Sequence, residues 1–121
     1  MYILFRETYS GRGSSSQPYK IVLVTVPSSN VADSIGAAVV ENGFASCVNV
    51  LPGVTSHYKW KGKLERSEEL MMVIKSIDHR LSDLEALVHE MHPYDVPEFL
   101  VVPVFGGSQN YLNFLMLGMS G

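Results

Sequence analysis

Thr55-Ser56-His57-Tyr58-Lys59-Trp60-Lys61-Gly62-Lys63 is the stretch on which the fold turns. Two β-rich runs separated by a two-residue loop ending in glycine signal a hairpin, because a tight turn needs backbone angles that glycine adopts freely. The return arm runs from Lys63 to Ser76. Both arms are long, so the hairpin is predicted to project beyond the body of a small domain. Near its tip Lys59, Lys61, Lys63, Glu65, Arg66, Glu68 and Glu69 mix both signs of charge, which suits exposed cross-strand positions in water. Upstream, Phe44 to Val54 is apolar and β-rich but interrupted by Pro52-Gly53. That dipeptide predicts a bulge or bend, since proline cannot donate to a ladder and glycine tolerates unusual dihedrals.

Outward from the hairpin the pattern alternates. Ile21-Val22-Leu23-Val24-Thr25-Val26, stopped by Pro27, reads as a buried strand. Ser28, Ser29 and Asn30 offer helix N-caps, Val31, Ile35, Val39 and Val40 recur at helical spacing, and Gly43 stands where a left-handed C-terminal cap belongs. Beyond the hairpin, Asp78 is the expected N-cap of a second helix whose apolar face is Leu81, Leu84, Leu87, Val88 and Met91, ended by Pro93. Glu98 to Phe105 reads as a strand, and Pro103 within it argues for an edge position or a bulge. After Gly106-Gly107, Ser108 caps a short apolar helix, Tyr111 to Leu117. The order β-α-β-β-α-β-α belongs to the α+β class: a ferredoxin-like split βαβ layout with an added C-terminal helix.

Composition narrows the function classes. The 121-residue chain is 46% hydrophobic and 17% charged, apolar for one small domain, so part of its surface is expected to be covered by other subunits. A net charge of −3 with nine dispersed Lys and Arg argues against nucleic-acid binding. No apolar run approaches the roughly 20 residues of a membrane span. The single cysteine, Cys47, excludes an internal disulfide and fits a reducing, cytoplasmic setting. Residues 1–18, with the Ser-Gly-rich piece Ser10 to Ser16, read as a flexible leader preceding a domain at 19–121; the organellar alternative is a transit peptide.

Several stretches together resemble the CutA divalent-cation-tolerance family. They are Thr25-Val26-Pro27, Ala45-Ser46-Cys47-Val48-Asn49, Pro52-Gly53-Val54-Thr55-Ser56, the Tyr58-x-Trp60-x-Gly62-Lys63 turn, Glu69 to Lys75, His92-Pro93-Tyr94-x-Val96-Pro97-Glu98 and Asn110-Tyr111-Leu112. They follow family order from Tyr19 to Met116. The resemblance implies a tight homotrimer, similar in architecture to the PII signalling proteins, and a role in tolerance of divalent metals, copper above all. It does not imply catalysis.

The candidate chemistry divides in two. Thiolate and imidazole suit copper, and imidazole with carboxylate suits zinc. Cys47 is the only thiol, and Glu85, His89 and His92 fall at i, i+4 and i+7 along one flank of the second helix, so these four are the expected ligands of a weakly bound copper or zinc ion. Val24 and Leu87 stand where some family members carry cysteine, which excludes a thiolate-rich site within one subunit. Met116-x-x-Met119 is expected to serve packing or a subunit interface. The resemblance also places Lys75, Tyr94, Glu98, Tyr111 and Trp60 near a cleft between subunits, where a small anion or metabolite is held in a PII-like regulator or assembly scaffold. No G-x-S-x-G, P-loop, H-E-x-x-H or C-x-x-C motif is present, which argues against an enzyme.

Overall fold

A computed structural model describes residues 17–119; all but the last two residues of the expected leader lie outside the described residues. The elements run β1 (Tyr19–Val26), α1 (Ser29–Glu41), β2 (Cys47–Trp60), β3 (Lys63–Ile77), a 3-10 turn (Asp78–Arg80), α2 (Leu81–Met91), β4 (Leu100–Pro103) and α3 (Gln109–Gly118). The strands form one sheet in the order β2-β3-β1-β4, antiparallel throughout. This is the ferredoxin-like α+β fold expected from the pattern.

Strand alternation gives the sheet two unlike faces. Val22, Val24 and Val26 of β1 and Met72 and Ile74 of β3 point to one face, where Ala32, Ile35 and Val39 of α1 and Leu84 and Val88 of α2 meet them, none more than 1% exposed. Each large apolar side chain buried there contributes about 1.5–3 kcal/mol. The second face carries Ile21, Leu23, Met71, Val73, Lys75 and Ile77, in register with Cys47, Asn49 and Leu51 of β2 and Leu100 and Val102 of β4. Helix α3 covers only one end of it, seating Leu112, Leu115 and Met119 on Ile77 with Cys47 and Met116 alongside. Elsewhere this face is open: Leu51 is 47% exposed, Leu100 58% and Val102 40%.

The hairpin turn has Lys61 at φ 53° and Gly62 at φ 81°, both left-handed as a primed two-residue turn requires. The ladder slips between Leu51 and Val54, where Gly53 sits at φ 76°, so Pro52-Gly53 is a bulge. Beyond it Val54–Trp60 pairs with Lys63–Glu69, past the last β1–β3 pair at Val26 and Leu70. That outer half is the projecting part.

Two boundaries differ from the sequence reading. Asp78 does not cap α2: its carboxylate pairs with Lys20 Nζ at 2.9 Å, and the chain makes a 3-10 turn before α2 starts at Leu81 without a side-chain cap. Strand β4 is shorter than Glu98 to Phe105, because Glu98 belongs to the loop that turns toward β3 and pairing with β1 ends at Pro103 opposite Lys20. As expected, Pro103 lies on an edge strand.

Helix α3 docks through a close contact. A Cβ added to Gly118 would stand 2.2 Å from Ser46 Oγ and 3.3 Å from Ser46 Cα. Gly118→Ala therefore forces the helix away from the segment leading into β2 and is expected to cost about 1–3 kcal/mol. Thermal unfolding checks this: Tm falls in the variant and recovers in part when Ser46→Ala is added, whereas an unchanged Tm shows that the contact relaxes freely.

Candidate functional site

A groove of about 600 Å³ opens on the second face of the sheet, at the root of the projecting hairpin. Strand period puts Ser56, Tyr58 and Trp60 on the same side as Glu69, while the loop after α2 brings Tyr94 to Glu98 across from them. Thr25, at the end of β1, forms part of the floor.

His92 holds that loop in place. Its backbone leaves α2 in an extended conformation (φ −82°, ψ 136°) and the ring turns inward, 7% exposed. Nε2 lies 2.8 Å from the Thr25 carbonyl oxygen and Nδ1 accepts the Tyr94 backbone N–H at 3.1 Å. Those partners require a neutral ring protonated on Nε2, which donates to Thr25. The ring packs on Tyr94 with centroids 4.7 Å apart. Tyr94 in turn donates its hydroxyl to Glu69 Oε2 at 2.7 Å. Burial, followed by the bond to Glu69, pushes the Tyr94 phenol above its usual range, so it remains a donor. Burial and then the charge of Glu69 push the Glu98 carboxyl up as well. Two carboxyl groups thus line one groove, and the charge of Glu69 disfavours ionisation of Glu98.

The other expected cleft residues lie apart. Lys75 is six positions from Glu69 along β3, about 20 Å at the usual strand rise. Its ammonium donates to Asn49 Oδ1 and to the Tyr111 hydroxyl at 3.4 Å, and it stands 5.7 Å from the Tyr111 ring centroid. One chain therefore lines a single groove with Trp60, Tyr94 and Glu98, Trp60 at its outer end opposite Lys63, and keeps Lys75 and Tyr111 as a second group on the same face.

The four expected metal ligands are also dispersed. Glu85 and His89 are exposed on α2, over the first face, with His89 Nδ1 2.9 Å from the Glu85 backbone oxygen. His92 leaves their flank because helical geometry stops at Met91 and both of its ring nitrogens are occupied. Cys47 is half-buried beneath α3 on the opposite face. No group of three His, Cys, Asp or Glu side chains among the described residues has metal-holding geometry.

Sequence reading placed Glu69 among the solvated hairpin charges, yet it is 7% exposed. The signal was its phase: Glu69 alternates with Met71 and Val73, whereas its neighbour Glu68 points away to pair with Arg66 at 2.8 Å. Met119 is a core residue and Met116 packs beside it.

The family model described as CutA1 divalent ion tolerance protein matches residues 20–117. The chain belongs to that family. The divalent-cation tolerance protein CutA of Thermus thermophilus is 42% identical over 96 residues, covering 79% of this chain and 93% of the relative. The protein named CutA, chloroplastic, of Arabidopsis thaliana is 37% identical over 102 residues, 84% of this chain and 56% of its own length, so the chain spans little over half of that relative. Among solved structures, CutA1 from Oryza sativa superposes with a TM-score of 0.83 at 34% identity, covering 86% of this chain and 95% of the rice chain. The fold and its family are thereby established. Among the described residues no helix is long and apolar enough to cross a membrane.

Two outcomes test the site geometry. The folded state binds the Glu98 proton more tightly than the unfolded chain, so this residue's contribution to stability falls as pH rises from the ordinary carboxylate value through the raised one. Glu98→Gln is expected to flatten that part of the Tm-against-pH curve, and an unaltered slope refutes the assignment. His92→Ala strands the Thr25 carbonyl and Tyr94 N–H, with an expected loss of about 2 kcal/mol or more in denaturant unfolding.

Proposed function

We propose that the protein is a non-catalytic homotrimer serving divalent-cation tolerance, binding copper or zinc weakly. The observation that carries the assembly is the open second face of the sheet. Leu51, Leu100 and Val102 are each at least 40% exposed there, on strands β2 and β4 that are also the sheet edges. Apolar area and bare edges of this kind call for cover by other copies of the chain. The tolerance role follows the family, whose description names no reaction.

Metal contact on this reading uses the donors that remain accessible. Glu85 and His89 offer a carboxylate and an imidazole on the outer surface of α2, and Cys47 offers a half-buried thiol. His92 joins only by giving up its bond to Thr25. Scattered donors give low affinity, which fits a tolerance role better than a resident cofactor. The compartment is the cytoplasm, with an organelle as the alternative that the chloroplastic relative supports.

A second reading is favoured by the groove. A PII-like regulator or scaffold needs a small-molecule or partner site, and the volume bounded by Trp60, Tyr94 and Glu98 provides one. The analogy to PII is architectural, and fold by itself does not carry function.

Sedimentation equilibrium is expected to give three times the chain mass of 13.4 kDa. Calorimetric titration of tag-free, reduced protein with copper and zinc should show saturable binding at a fixed ratio per trimer, weakened in Cys47→Ser/His89→Ala. A monomer mass defeats the assembly, and binding that is absent or blind to the substitutions defeats the metal reading.

A further inference from the structure

The end of the β2–β3 hairpin differs in charge from the rest of the molecule. Three lysines and no acidic residue stand between Lys59 and Leu64, in a chain whose net charge is −3. The acidic residues of the hairpin, Glu65, Glu68 and Glu69, all lie closer to its root. Lys59, Lys61 and Lys63 are exposed and make no ion pair among the described residues.

The same tip is apolar. Trp60 is 45% exposed and Leu64 76%. The register sets Trp60 opposite Lys63 and Lys59 opposite Leu64. Successive pairs of a ladder point to opposite faces, so each face of the tip presents one apolar side chain beside one ammonium. Lys61 closes the turn with its Nζ 6.0 Å from the Trp60 ring centroid. A lysine stem is long enough to keep its charge in water while an apolar neighbour leaves it. The outer half of the hairpin runs past the last β1–β3 pair, which carries this tip away from the body of the domain.

These features select a partner. An indole and a leucine set among lysines match the boundary of a bilayer, where aromatic rings settle at headgroup level and ammonium groups meet lipid phosphates. Nucleic acid is the poorer match. It takes a groove of positive charge that follows its backbone, whereas this charge is confined to one turn and gives way to Glu65 on the return arm. The remainder of the chain is more acidic than the whole, so a negative surface attracts only the tip and turns the molecule end-on.

We propose that the hairpin tip docks on an anionic lipid surface, with Lys59, Lys61 and Lys63 at the phosphates and Trp60 and Leu64 seated among the headgroups. The contact is peripheral and reversible. It goes beyond the tolerance reading, and it needs neither a metal nor the groove residues Glu69 and Glu98.

Trp60 is the only tryptophan of the chain, so its emission reports the contact directly. The intact oligomer, with a chelator present to prevent metal bridges, is mixed with vesicles of phosphatidylcholine alone and of phosphatidylcholine and phosphatidylserine in equal parts. Only with the anionic vesicles is the Trp60 emission expected to move to the blue and the protein to sediment with the lipid. Replacing all three lysines (Lys59→Gln, Lys61→Gln, Lys63→Gln) is expected to weaken that binding about a hundredfold. Leu64→Ser weakens it about tenfold, and high salt releases the protein. Each replaced side chain is exposed, so the variants keep the Tm of the parent protein. The inference is overturned if the emission does not move with anionic vesicles or if binding is indifferent to the lysine substitutions. It is equally overturned if the emission without lipid is already that of a buried indole, which places Trp60 beneath a second copy. A single-stranded oligonucleotide that shifts the emission where the vesicles do not overturns it in favour of nucleic acid.

Discussion

Strand β3 is paired along its inner half with both β1 and β2, and the register of those two ladders governs everything else in the molecule. Met72 and Ile74 must face the helices for the core to close, and that choice sends Glu69, Met71, Val73 and Lys75 to the other side. A slip of one residue would bury Lys75 among valines and leave two core side chains in water. The apolar contacts of the first face thus aim the groove and the lysine cluster of the second. The bulge at Pro52-Gly53 adds a local correction, keeping Ser56, Tyr58 and Trp60 in phase with Glu69 after the ladder has slipped.

The groove is assembled by a relay of hydrogen bonds that starts in the helix layer. His92 ends α2, reaches through to the Thr25 carbonyl and fixes the backbone of Tyr94, whose hydroxyl then meets Glu69. Each link is at least partly withdrawn from water, where such bonds are stronger and a missing partner is more costly. Burial first, and then the neighbouring Glu69, suppress the ionisation of both Tyr94 and Glu98.

The sheet also separates the remaining candidates. Cys47 is tucked under α3 on one face, and Glu85 and His89 stand on α2 over the other, so a single chain cannot bring the thiol to the imidazole. Lys75 and Trp60 share a face but lie at its two ends. Trp60 and Lys75, apart within one chain yet on one open, apolar face, are groups that neighbouring copies in the proposed assembly would juxtapose.

Local chemistry made much of this legible in the sequence. Lys61-Gly62 dictates its own turn through left-handed dihedrals, Pro52-Gly53 its own bulge, and Gly43 and Ser108 the ends of α1 and the start of α3. The alternation of Val22, Val24 and Val26 and the helical spacing of Ile35 with Val39 specify burial before any contact is made. Motifs of the family located Trp60, Tyr94 and Glu98, which do share a groove. What only the tertiary structure decided are choices between competing partners distant in sequence. Asp78 pairs with Lys20, 58 residues earlier, and opens a 3-10 turn that leaves Arg80 and not Asp78 at the start of α2. His92 turns from an expected surface ligand into an internal strut because Thr25, 67 residues earlier, presents an otherwise unpaired carbonyl. Glu69 lies in the groove and not in solvent because β3 is shared between two ladders. Spacing along a chain records which groups can meet, but the free energy of the whole fold selects which of them do.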